Sequence, residues 1–169
     1  MAEVDGSGGL ELRVGTIDGV VKVALECHVD DRGYLHEIAR CASSTGDHAV
    51  VETFGQVYLV GDHVRGTIRA FHKHRTLWDF FCISHGSAKF VLVDDREDAP
   101  TYRVVSNFVL SARTPALLVV PPGVFHGWMS LEDDTQMISI ASEPYRSEEP
   151  DEVRIPPDSF GDVWTVVGR

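Results

Sequence analysis

No run in the 169-residue chain is long and apolar enough to cross a bilayer; the longest, Ala116–Pro122, falls far short of the ~20 residues a spanning helix needs. Positive charge is also scarce, with 15 Lys and Arg against 26 Asp and Glu, a net charge of −11. That balance excludes a general nucleic-acid or anionic-membrane binder, which needs a basic face. It leaves room for an anionic small molecule met by a few arginines. The three cysteines, Cys27, Cys41 and Cys82, form no CxxC pair and suggest no disulfide framework, so the expectation is reduced thiols in a cytoplasmic protein. No charged-then-apolar leader opens the sequence; Met1–Gly9 reads as a flexible tail ahead of a single domain over 10–169. Helix signals are weak and confined to Ala42–Thr53 and Ser142–Val153, and there is no repeat or linker.

What the chain does have is strand rhythm. Gly and Pro punctuate segments rich in Val, Ile, Phe and Tyr, which indicates an all-β sandwich or barrel. The predicted strands are Val20–Cys27, Tyr34–Ala39, Gln56–Val60, Gly66–His74, Asp79–Ser84, Ala88–Asp94, Tyr102–Leu110, Ala116–Val120, Gly127–Leu131 and Thr135–Ala141. Turn chemistry separates them at Asp30–Gly33, His85–Ser87, Pro121–Gly123 and Glu132–Asp134. From Ser142 on, a short irregular C-terminal tail carries Tyr145, Ile155, Phe160 and Trp164, apolar enough to be expected packed across the barrel.

Histidines concentrate at His63, His72, His74 and His85, with His126 further on. Residues two apart on a strand share a face, so Ile68, Ala70, His72 and His74 are expected on the inner side. Two buried imidazoles are costly unless they bind something or are hydrogen-bonded. His63 and His85, next to turns, read as solvated, and Cys82 as a core residue. Glu148–Glu152 reads as a solvent face. Trp78, Phe80, Phe81, Phe90 and Trp128 read as packing, although Trp128 and Phe125 stand close enough to His126 in sequence to stack on a sugar.

From Gly66 the spacing is five residues to His72, one to His74, four to Asp79 and six to Gly86. This resembles the first motif of the cupins, small jelly-roll β-barrels, and Pro122-Gly123-Val124-Phe125-His126 resembles the second, with Pro115 and Ser130 departing from its pattern. The resemblance implies an all-β, single-domain cupin.

A narrower resemblance is to the dTDP-4-dehydrorhamnose 3,5-epimerases. It rests on Asp31–Glu37, on Arg69-Ala70-Phe71-His72, on Pro122–Trp128 and on the tail Glu143–Tyr145 with Pro150–Pro157. It implies a homodimer that binds a dTDP-linked 4-keto-6-deoxy sugar and needs no metal or organic cofactor. A C4 ketone acidifies the hydrogens at C3 and C5; a base removes one, and an acid on the opposite face returns a proton with inversion. Imidazole, which ordinarily titrates near neutrality, suits the base. The resemblance assigns that role to His72, with His126 in the same cavity polarising the ketone or bonding the sugar. Arg32 and Arg69 would bind diphosphate or sugar through the guanidinium fork. Glu37, His74, Gln56 and Trp128 join them as substrate-binding residues, and Arg32 and Glu37 act across the dimer. Strict alternation turns Arg69 away from His72 unless the strand is bulged.

Three departures from the epimerase pattern stand out. The family's tyrosine acid falls on Ser139, thirteen residues after His126, leaving Tyr145 as the replacement. The family's lysine is missing, with Asp79 in its place. Asp79 or Asp158 is then expected to orient the base.

Other readings stay open. His72–Asp79 is similar to the paired-histidine run of dTDP-sugar 3,4-ketoisomerases. His72, His74, Asp79 and His126 form a three-nitrogen, one-oxygen set suited to one divalent transition metal. A non-catalytic sugar-binding barrel is the remaining alternative.

Overall fold

The computed structural model describes residues 12–41, 50–51 and 54–168. Met1–Gly9 and most of Ala42–Thr53 lie outside the described residues. Short β-branched and aromatic segments between turns form fifteen strands among the described residues: β1 Arg13–Val14, β2 Val21–Ala24, β3 His28–Asp30, β4 Gly33–Leu35, β5 Arg40–Cys41, β6 Val50–Val51, β7 Gln56–Asp62, β8 Ile68–Lys73, β9 Asp79–His85, β10 Ser87–Asp94, β11 Val104–Ser111, β12 Ala116–Val120, β13 Val124–Ser130, β14 Thr135–Ala141 and β15 Val153–Arg154. One wall has the order β1-β11-β10-β13-β8-β15 and the facing wall β2-β12-β9-β14-β7, the two-sheet plan of a jelly roll. Two deviations from expectation are local. The Tyr34–Ala39 strand ends at Leu35, and β13 starts at Val124, straight out of the Pro121–Gly123 corner. Ser142–Val153 holds no helix; it runs irregularly into β15.

Period-two alternation sorts the side chains into three layers. Phe81, Ile83, Phe90, Leu92, Leu118, Val120, Trp128 and Met137 fill the space between the walls. Phe80, Cys82, Leu117 and Ile140 face outward from the five-stranded wall and are covered by Val23, Leu25, Ile38 and Ala39. Phe71, Val91, Val93, Val105 and Phe125 face outward from the six-stranded wall, under Ile155, Phe160, Val163 and Trp164 of the tail. Phe160 meets Phe71 edge-on at 4.9 Å, and Lys89 Nζ donates to the carbonyls of Val163 (2.7 Å) and Thr165 (2.8 Å). The tail is therefore packed, as its apolar content demands.

Strand β8 breaks the simple alternation. Against β13, His72 pairs with His126 and Ile68 with Met129, but Arg69 pairs with Trp128, so two steps on β13 match three on β8. The surplus residue is a bulge. It makes Arg69 and His72 partners of the inward-facing Trp128 and His126, and it sends Phe71 outward. The inner set on β8 is thus Arg69 and His72, not the expected Ile68, Ala70 and His72. Gly127 makes the bulge possible. A Cβ there would fall on Ala70 Cβ and stand 2.9 Å from Arg69 O.

Candidate active site

β8 runs between β13 and β15, and that position builds a dyad. β15 pairs Arg154 with His72, which brings the residue before Val153 over the imidazole ring. Glu152 Oε1 lies 2.5 Å from His72 Nδ1. Arg154 donates to the other oxygen, Nε at 2.8 Å and Nη2 at 2.7 Å. Burial alone would raise the Glu152 carboxyl, but the bonds from Arg154 and His72 outweigh it and hold the group below its usual range. An ionised carboxylate only accepts, so the His72 proton sits on Nδ1 and Nε2 carries its lone pair. The ring stacks 6.4 Å from that of His126.

A second cluster lies beside it. His126 Nδ1 donates to Val124 O at 3.1 Å, and His74 Nδ1 donates to Asp151 O. Both Nε2 atoms lie 3.4 Å from Asp79 Oδ2. A proton on Asp79 lets its carboxyl donate to a neutral ring nitrogen there. Burial pushes the Asp79 carboxyl up to about 7, against the pull of His74. Burial, with His74 nearby, pushes His126 down to about 3. His126 is thus a neutral ring with both nitrogens engaged, and it has no N–H to offer a ketone.

Next to these groups a cleft of about 480 Å³ opens between the edges of the walls. Gln56, Tyr58, Asp79 and Ala141 line it from the five-stranded wall, and Glu152 and Arg154 from the tail. Arg75, Arg146 and Arg154 line its rim among Glu143, Glu149, Asp151 and Glu152, so the rim carries both signs of charge. Asp151 clamps the tail to the β8–β9 connection: its carboxylate accepts from the backbone N–H of Arg75 (3.0 Å), Thr76 (2.9 Å) and Leu77 (3.1 Å). These bonds, with that of the Arg75 side chain, overcome burial and hold its carboxyl well below the usual range. Tyr145 donates its backbone N–H to Gln56 Oε1 at 2.8 Å.

The structure brings together His72, His74, Asp79 and His126, and it places Gln56 and Tyr145 on the cleft wall. Other expectations need correction. Trp128 is buried in the interior against Phe90, because β13 turns it toward the core rather than the cleft. Phe125 lies on the outer face under Phe160. Arg69 faces inward through the bulge, but its guanidinium is held by Asp62 (2.6 Å) and does not line the cleft. Arg32 is paired with Asp30 and Glu37 with Arg40, both away from the cleft of their own chain. Asp79 sits between the other two imidazoles and not on His72. Glu152, expected in a solvent face, is the carboxylate hydrogen-bonded to His72, and β15 is the reason. Among the described residues, the expected four-residue metal set reduces to His74, Asp79 and His126, whose ligand atoms lie within 4.8 Å of one another. Sequence reasoning missed Tyr58, Arg75, Arg146 and Arg154. The approach of Glu152-x-Arg154 to a histidine strand was the one signal available for that end of the cleft.

A jelly-roll barrel with an imidazole–carboxylate dyad beside an open cleft defines the class of fold and site. The family model for dTDP-4-dehydrorhamnose 3,5-epimerase matches residues 15–167, and the chain belongs to that family of carbohydrate isomerases. It is 36% identical over 156 residues to the spore coat polysaccharide biosynthesis protein SpsL of Bacillus subtilis (strain 168), covering 90% of this chain and 99% of that protein. It is 30% identical to the probable low-salt glycan biosynthesis epimerase Agl13 of Haloferax volcanii, over 79% of this chain and 84% of that one. Among solved structures it resembles the 3'-monoepimerase ChmJ of Streptomyces bikiniensis in complex with dTDP, with TM-score 0.75, 21% identity and coverage of 91% and 78%. It also resembles the dTDP-4-dehydrorhamnose 3,5-epimerase of Bacillus anthracis with TDP and PPi bound, with TM-score 0.75, 21% identity and coverage of 94% and 91%. Agl13, ChmJ and the Bacillus anthracis protein are each named as epimerases.

Proposed function

We propose that this chain epimerises a dTDP-linked 4-keto-6-deoxyhexose at C3, C5 or both, with His72 as the base. The observation that carries this reading is the His72–Glu152 hydrogen bond, which fixes the tautomer that leaves Nε2 able to take a carbon-bound proton. Removing that proton places charge on the C4 oxygen as an enolate. Arg75, Arg146 and Arg154 on the rim suit the diphosphate. The solved relatives with dTDP or TDP bound support a thymidine nucleotide as the carrier.

The reaction as proposed uses no organic cofactor and no metal, since an adjacent ketone supplies the acidity. A second reading, one divalent transition metal on His74, Asp79 and His126, is favoured by the convergence of their ligand atoms within 4.8 Å. Elemental analysis of purified protein separates the two. Near-stoichiometric metal with chelator-sensitive activity would replace the first by the second.

The proposal extends to a cytoplasmic homodimer. Val29, Tyr34 and Leu35 on the β3–β4 hairpin, and Val57 and Leu59 on the edge strand β7, are exposed apolar side chains that a second copy would cover. Arg32 and Glu37 beside that hairpin would then approach the partner's cleft. Sedimentation analysis tests the dimer. Among the described residues no helix is long and apolar enough to cross a membrane.

Incubation with dTDP-4-keto-6-deoxyglucose in D₂O tests the activity. Deuterium is expected at C3 or C5, and His72→Asn should reduce its incorporation by roughly 10²–10⁴-fold while keeping the fold. A folded protein that exchanges neither hydrogen would overturn the reading.

A further inference from the structure

Inversion at carbon needs a proton donor on the face opposite the base, a requirement that falls on the wall facing His72. His72 and His126 stand on the six-stranded wall. Across from them, Phe81, Ser139 and Tyr58 form one inward-facing row on β9, β14 and β7, since Ser139 pairs with Phe81 on one side and with Tyr58 on the other. The His126 ring lies 5.4 Å from the Phe81 ring, which fixes how the walls align. β8 is next to β13 on one wall, and β14 and then β7 follow β9 on the other. His72, one strand beyond His126, therefore faces the Ser139–Tyr58 end of the row. Packed sheets stand about 10 Å apart, room for a sugar ring between them.

Resting on the proposed epimerisation, we propose that Tyr58 is the catalytic acid, delivering its phenolic proton to the sugar face opposite His72. The groups around the cleft leave few competitors. Ala141 and Gln56 carry no transferable proton. Ser139 is fully buried, its Oγ without a hydrogen-bond partner of standard geometry, and a hydroxyl of ordinary acidity is a weak donor. Asp79 is engaged between His74 and His126. The remaining acids, Glu143, Glu149, Asp151 and Glu152, lie on the tail beyond the wall. Tyr145 also lies on the tail, 63% exposed, whereas Tyr58 is 41% exposed on a paired strand. A strand holds a reacting group more closely than an irregular segment. Burial, with Asp79 and Glu152 in electrostatic reach, raises the Tyr58 phenol despite the nearby Ser139 hydroxyl, so it stays protonated at neutral pH.

The proton balance is simple. His72 Nε2 takes the hydrogen from C3, and the C–H electron pair becomes the C3–C4 double bond of an enolate with charge on O4. Collapse of the enolate draws the Tyr58 proton to the other face of C3 and leaves a phenolate. Water then takes the proton from His72 and restores the one on Tyr58. The same sequence applies at C5.

Tyr58→Phe tests this, with dTDP-4-keto-6-deoxyglucose in D₂O as the probe. Without its acid the enolate can be reprotonated only from the His72 side. The variant should therefore take up deuterium with configuration retained, while formation of the epimer falls roughly 10²–10⁴-fold. Tyr145→Phe should still invert. Inversion at the normal rate by Tyr58→Phe would overturn the assignment, as would exchange without inversion in Tyr145→Phe. Retained deuterium uptake in Tyr58→Phe also shows that the fold survives. Absence of exchange in the unaltered protein would instead strike down the epimerase reading, so the two failures are distinguishable.

Discussion

His72 and Glu152, 80 residues apart in the chain, share a 2.5 Å hydrogen bond. The bond exists because the tail returns as the outermost strand of the histidine wall and because Asp151, one residue earlier, is clamped by three backbone N–H groups. His72 is therefore oriented by a segment that contributes little to the interior of the barrel.

Glu152→Ala should separate orientation from binding. The cleft and its arginines stay, so KM is expected to change little while kcat falls on the order of 10-fold or more. Nitrogen NMR of His72 should show the single Nδ1–H tautomer giving way to a mixture. A rise in KM alone would contradict the orienting role.

Asp79→Asn should change how stability depends on pH. The folded protein holds the Asp79 proton up to about 7, whereas an unfolded carboxyl loses it near 3.8. Between these values the native state binds the extra proton, so stability falls as pH rises. An amide has no such proton to lose. The melting temperature of the variant, compared with that of the unaltered protein, should therefore improve steadily from pH 4 to pH 7. His126, held near 3 against an ordinary 6.5, gives the opposite slope in both proteins, so the comparison removes it.

Arg146→Ala should raise KM for the nucleotide sugar and leave kcat nearly intact. The side chain lines the cleft, is 70% exposed and has only a long 4.0 Å contact with Glu143, so its loss disturbs little else. Titration with dTDP alone should show the same weakening.

Gly127→Ala should destabilise the fold by about 1–3 kcal/mol, the usual range for overpacking. The new methyl would collide with Ala70 and crowd Arg69 O. Denaturant unfolding measures the loss.

The histidine spacing and the Pro-Pro-Gly corner made the jelly roll legible, because strand alternation and turn chemistry are local properties of sequence. His72, His74, Asp79 and His126 were legible for the same reason. Glu152 was not. Four acidic positions in the five residues Glu148–Glu152 look like a solvated face, and only the return of the tail along β8 distinguishes one of them. Trp128 was misplaced because it shares the inner face of β13 with His126 but lies one pleat further along, in the packed interior against Phe90. Tyr58 was invisible because its relation to His72 depends on which strands face each other across the two walls. Arg69 was foreseen conditionally, and the bulge supplied the condition, although Asp62 then held the side chain away from the cleft.

That surplus residue in β8 limits how this catalytic wall can be transplanted. A designer who grafts the histidine strand onto a regular barrel, matching partners one for one, would deliver either the arginine or the imidazole to the interior, never both. The graft must travel with its irregular spacing and with the bare backbone of Gly127 opposite.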